Sequence, residues 1–275
     1  MTHQVRAGLF CVLGGLCFTL FAQGTGHFGW WWIAGVLIAT CMLPIAQHGP
    51  RRVWAQFGSM AAVLVIIGLF CTMSEGVLFF PETKKFLVPG LIGGTVIYVI
   101  IAALLAVLGR VLKVNAASDV ELELRPAPAA VPMVLLSGLS YVLYYLVFGA
   151  IVFQFFTKKY YPHAVEQVMA MGSWFWAYQW GRGLMMTIAV LPVIYALRLP
   201  RWKTIIVAGM MVWIVGGGAS LLVPSTYMVP AQRIAHIFEI MSQNVPLGMT
   251  AAWLLRPQAK RLAAPEKRVP AASMS

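Results

Sequence analysis

Arg233, His236 and Glu239 recur at three-residue steps in the stretch from Pro230 to Pro246, which is otherwise apolar enough to enter a bilayer. Steps of three place side chains along one side of a helix. Each type brings its own chemistry. A guanidinium holds carboxylate or phosphate through paired N–H donors, an imidazole exchanges a proton near neutral pH, and a carboxylate one turn away can orient that ring or take its proton. Ionisable groups inside a membrane are costly, so they are given protein partners, a ligand or both.

Two more residues fall at a similar depth. Arg182 lies 15 residues before Leu197, and Glu239 lies 16 before Leu255. At 1.5 Å per residue each is about 23 Å from the inner end of its helix. Glu75, near the far end of another apolar run, could supply a further carboxylate. The expected site is therefore Glu75, Arg182, Arg233, His236 and Glu239. The competing readings are interfacial anchoring for Arg233 and His236, a structural ion pair with Arg182 for Glu239, and a snorkelling side chain for Glu75.

Two His-x-x-Glu pairs, His163 with Glu166 and His236 with Glu239, suggest a metal as a lesser alternative. Two imidazoles with two or three carboxylates could hold Zn, Fe or Mn. The spacing is not the His-Glu-x-x-His of zinc hydrolases, and pairs of this kind arise readily among five histidines and eight acids. Met169, Met171, Met185 and Met186 are read as packing rather than Cu(I) ligands. Ser74 beside Glu75, and Ser242 below Glu239, are candidate nucleophiles. No Gly-x-Ser-x-Gly motif or phosphate-binding Walker loop accompanies them.

The elements that must carry these residues follow from composition. The 275 residues are 60% hydrophobic and 10% charged, with a mean hydropathy of +0.81, against roughly 25% charged in soluble domains. The class is an all-α polytopic integral membrane protein forming a single transmembrane domain over 1–275. With about 20 apolar residues per span, the runs predict about eight helices, over 7–23, 28–47, 53–80, 87–112, 131–156, 174–197, 204–223 and 230–255. A polar linker occupies 113–130 and a basic tail 256–275. Gly181 and Gly183 interrupt the sixth run, and together with Pro246 they are expected to let helices six and eight bend around the site. Arg6 followed by Gly8 to Ala22 could mark a signal peptide, but no clean small-x-small site follows, so an uncleaved first span is preferred. Cys11, Cys17, Cys41 and Cys71 lie in the first three runs without a Cys-x-x-Cys pair and read as small buried side chains.

Orientation follows from basic residues. The N-terminus, the loops after helices two, four and six, and the tail hold 14 of the 20 Lys and Arg, which places both termini in the cytoplasm, with a bacterial inner membrane as the expected location. Basic residues scattered in this way are orientation signals, so a nucleic-acid partner is discounted. The opposite side carries six basic residues, including Lys84, Lys85, Lys158 and Lys159, and four acidic ones, a balance that favours anions. The leading expectation is a transporter or permease with an outer-leaflet site for a small anionic or amphiphilic solute, coupled to a proton. The alternatives are an intramembrane enzyme acting on a lipid or isoprenoid headgroup, and a non-catalytic subunit. Gly90, Gly94, Gly216 and Ser220 suit internal packing, a homo-oligomer or a partner membrane protein equally well.

Overall fold

A computed structural model describes residues 1–116, 121–123, 126–161 and 163–260. Parts of the polar linker, at 117–120 and 124–125, and most of the basic tail, at 261–275, lie outside the described residues. The regular structure of the described residues is helical apart from one antiparallel pair of three-residue strands, β1 (Glu121–Glu123) and β2 (Gln258–Lys260).

Among the described residues six helices are long and apolar enough to cross a membrane: α1 (His3–Ala22), α2 (Phe28–His48), α3 (Val53–Phe79), α4 (Pro81–Val111), α5 (Pro128–Tyr160) and α8 (Arg201–Leu222). A short helix, α6 (Ala164–Met171), follows α5. The remaining two, α7 (Ser173–Ala196) and α9 (Pro230–Leu255), have 24 and 26 residues, about 36 and 39 Å long at 1.5 Å per residue. They miss the hydropathy of the other six because they carry the polar residues: Gln179 and Arg182 on α7, and Gln232 to Asn244 on α9. That surface is hidden. Gln179, Arg182, Gln232, Gln243 and Asn244 are all buried against neighbouring helices.

The expected interruption at Gly181-Arg182-Gly183 is absent, since α7 runs unbroken from Ser173 to Ala196. An apolar setting offers no water to replace lost backbone bonds, so the helix continues. Gly183 serves instead as a crossing point. A Cβ there would lie 2.4 Å from the Gly138 carbonyl oxygen and 2.6 Å from Tyr141 Cβ, so only hydrogen lets α5 and α7 approach so closely. Nor does Pro246 break α9. The sharp bend is elsewhere, in α8, where Gly217 has φ +134° and Gly216 leaves the helical region. Such a φ is open to glycine and strained for other residues.

Four π-helical stretches occur among the described residues, at Val63–Cys71 in α3, Tyr145–Gly149 and Phe153–Thr157 in α5, and Ile214–Gly218 in α8. Turns of this kind recur at functional sites. Below them the core is close-packed and apolar, with Met42, Leu64, Ile101, Leu105, Val190 and Leu247 fully buried. At the same end Arg256 joins three helices: its guanidinium donates to the Leu197 carbonyl at 3.2 Å, to Thr204 Oγ1 at 2.6 Å and to the Leu199 carbonyl. Those acceptors lie at the C-terminal end of α7 and the start of α8, and Arg256 itself caps α9.

Candidate functional site

Glu75 and Arg182 meet across 107 residues of sequence. Arg182 donates from Nη1 to Oε1 and from Nη2 to Oε2, both at 2.7 Å, a two-pronged charge-assisted pair. Its Nη1 also reaches Gln179 Oε1 at 3.0 Å, and the guanidinium lies 5.5 Å from the Tyr141 ring centre and 5.9 Å from that of Tyr178. The Gly138–Gly183 crossing sets this geometry, because it brings α5, and with it the Tyr141 ring, against the turn of α7 that carries Arg182. The Arg182 side chain is 2% exposed and that of Glu75 is 12% exposed. Glu75 is therefore no snorkelling residue, and the partner of Arg182 is Glu75 rather than Glu239.

Glu239 turns to its own helix. Its Oε2 lies 3.0 Å from His236 Nδ1, and both side chains are mostly buried. The bond fixes the ring through Nδ1, and the ring makes no other hydrogen bond among the described residues. Arg233 points to the end of α8, donating from Nη1 to the Leu222 carbonyl at 3.1 Å and the Leu221 carbonyl at 3.4 Å. It thus satisfies carbonyls that a helix end leaves open.

Four of the five expected residues, Glu75, Arg233, His236 and Glu239, line one cavity of about 490 Å³. Arg182 stands behind Glu75. The walls come from α3, α4, α5, α6, α7, α8 and α9, and three of the four π-helical turns contribute to them: Tyr145 and Gly149, Phe153 and Thr157, and Gly216 with Gly217. Most of the lining is apolar, with Phe79, Phe80, Tyr145, Phe175 and Trp176 among it. At one edge stands Tyr161, outside the spanning segments. Burial pushes its hydroxyl up to about 12, against the opposing effect of a hydrogen bond with Gln232, so it remains a neutral phenol at physiological pH.

The metal alternative loses its geometry. His163 and Glu166 pair with each other at 3.2 Å on the exposed surface, His236 pairs with Glu239 in the cavity wall, and no group of three or more His, Cys, Asp or Glu comes together among the described residues. One His and one carboxylate are too few for the coordination shells of Zn, Fe or Mn. The candidate nucleophiles are also engaged. Ser74 Oγ donates to the Cys71 carbonyl and accepts from the Tyr178 hydroxyl, and Ser242 Oγ donates to the Glu239 carbonyl at 2.8 Å.

Sequence reasoning missed the aromatic wall, the α8 bend and the lining helix α6. Gly216-Gly-Gly218 was the one available signal for the bend. Val165, Val168 and Met169 of α6 line the cavity, yet an eight-residue helix is too short for a span and leaves little periodic trace. Compared with protein-family models, curated proteins and solved structures, the chain matches none.

Proposed function

We propose that this chain is a proton-linked transporter or permease for a small amphiphilic solute, with eight membrane crossings. In this reading α7 and α9 are the two crossings beyond the six apolar helices, both termini are cytoplasmic, and the membrane is a bacterial inner membrane. The observation that carries it is the cavity. An apolar, aromatic chamber with a hydrogen-bonded His–Glu pair in its wall offers a place for the apolar body of a solute and one polar corner for its head. The bent helix α8 beside it supports movement. The strained turn at Gly216-Gly217 forms part of the wall, so a change of bend there alters the chamber directly.

His236 and Glu239 are the proton-exchanging groups. The charged and titratable groups facing them among the described residues are Glu75 from α3, Tyr145 from α5, Tyr161 just after α5, Arg182 from α7 and Arg233 about two turns earlier than Glu239 on α9. Because Arg182 is committed to Glu75, the His–Glu pair is the polar unit left free to change its protonation as solute enters. The test is proton movement in liposomes that contain the purified protein, a pH-sensitive dye and an imposed pH gradient. Addition of substrate amphiphiles should move protons with the wild type and not with Glu239→Gln, whose melting temperature should stay near that of the wild type. Equal proton movement in both proteins overturns the coupling.

One observation favours an enzyme as the second reading. Glu239 holds His236 by Nδ1 and leaves Nε2 unpartnered, the arrangement of a general base with its orienting carboxylate. Under that reading a lipid-headgroup substrate is converted in detergent, and the product disappears with His236→Ala. Unchanged turnover in His236→Ala dismisses it.

A further inference from the structure

The sign of the solute's charge can be argued from how the cavity disposes of its own charges. The expectation drawn from the outer loops is anion binding, and it rests on lysines that do not reach this chamber. None of Lys84, Lys85, Lys158 and Lys159 lines it. Lys158 and Lys159 border a different pocket, beside Ile234 and Phe238.

Among the described residues, the one basic side chain lining the chamber besides His236 is Arg233. Its Nη1 is held by the last carbonyls of α8, a helix end that carries partial negative charge and offsets part of the guanidinium charge. Arg182 is screened from the chamber by the carboxylate it grips with both nitrogens. The acidic groups are placed differently. Glu75 and Glu239 are both lining residues, and among the described residues Glu239 has no Arg or Lys partner, only the imidazole of His236.

The wall supplies an independent argument. Eight of the thirty lining residues carry aromatic rings. They come from six parts of the chain, α3, α5, α7 and the connections after α3, α5 and α8, rather than from one helix. Ring faces attract cations, and more strongly where water is excluded. A ring-walled chamber with a carboxylate that no Arg or Lys grips among the described residues suits a positive, poorly hydrated head, whereas an anion would meet that carboxylate and the negative faces of the rings.

We infer that the solute is a lipophilic cation, an amine or quaternary onium compound with an apolar body, held by Glu239 and by the aromatic wall that includes Phe175 and Trp176. This rests on the carrier reading for its transport consequence, while the binding claim can be tested without transport.

The experiment is equilibrium dialysis of the purified full-length protein in detergent, with a detergent-only control. The probes are tetraphenylphosphonium and tetraphenylborate, which share a shape and differ in sign. The expected result is saturable phosphonium binding that exceeds borate binding. Glu239→Gln, which keeps the shape and the acceptor for His236, should weaken it by about tenfold or more, as loss of a close opposite charge away from bulk water implies. Trp176→Leu should weaken it by about threefold to thirtyfold, the range of a cation–ring contact. Preferential binding of the borate overturns the assigned sign and leaves the carrier reading standing. Absence of saturable binding for both probes, or phosphonium binding unchanged in both variants of normal melting temperature, overturns the cation site. The carrier reading is then decided separately by the proton-movement assay.

Discussion

Breaking the Glu75–Arg182 pair should be more damaging from one side than from the other. With Glu75→Gln, Arg182 keeps one bond to Gln179 and gains at best one neutral acceptor in place of two charged ones. A guanidinium cannot shed its charge, and at 2% exposure it cannot reach water. Removing one member of a buried pair costs about 3–5 kcal/mol, and this site belongs at the upper end. With Arg182→Gln, the orphan is a carboxyl that is 12% exposed to the cavity. It can take up a proton and become neutral, so the loss should be nearer ~2 kcal/mol. Replacing both, as Glu75→Leu with Arg182→Met, removes both desolvation penalties and should recover most of the stability, since apolar groups often substitute for buried ion pairs without loss. The assay is thermal unfolding of the four proteins in one detergent at pH 7, followed by circular dichroism. At roughly 2–4 °C per kcal/mol for a large chain, Glu75→Gln should melt ~10 °C or more below wild type, Arg182→Gln less far below, and the double variant above Glu75→Gln. The reasoning is refuted if the two single variants lose equally little, within ~2 °C, or if the double variant loses the sum of both.

Two further substitutions probe how the site is positioned. Gly183→Leu should lower stability by about 3 kcal/mol or more through overpacking, because the added Cβ alone would meet the Gly138 carbonyl at 2.4 Å. Gly181→Ala, two residues away with nothing within 4 Å of the new Cβ, should be neutral or stabilising by up to about 1 kcal/mol, and the pair is compared by the same melting assay. Gly217→Ala forces an L side chain to φ +134° and brings its Cβ to 2.9 Å from Ile240 Cδ1. A loss of about 1–3 kcal/mol is expected, with proton movement in liposomes impaired even at temperatures where the protein is folded.

The membrane class and the six apolar helices could be read from composition, because a bilayer demands long apolar runs and backbone bonds satisfied within each helix. The His236–Glu239 contact was legible in the same way, since a spacing of three on a helix puts the two side chains together. Glu75 and Arg182 were both singled out, but not as partners. Depth along a helix can be counted from its end, whereas which helices are neighbours depends on crossings such as Gly138 with Gly183, whose residues lie far apart in the chain. The α8 bend was illegible for another reason. Glycine permits a positive φ without requiring it, so Gly216-Gly-Gly218 reads equally well as a packing surface. The strongest local rules, those for spans, could not describe α6 or the π-helical turns that shape the cavity.

Arg256 gives the bundle a fixed end. By holding two carbonyls and a hydroxyl at the junction of α7 and α8 while it caps α9, it ties those helices together on the side away from the cavity, much as a rivet holds the blades of a fan. Blades pinned at one end can only spread at the other. Any opening of the chamber is then an angular motion whose displacement grows with distance from Arg256, small at Leu197 and Thr204 and largest near Leu222, Arg233 and Trp176. A modest change of bend at Gly217, itself in the wall, would thus be felt at the cavity and hardly at Arg256.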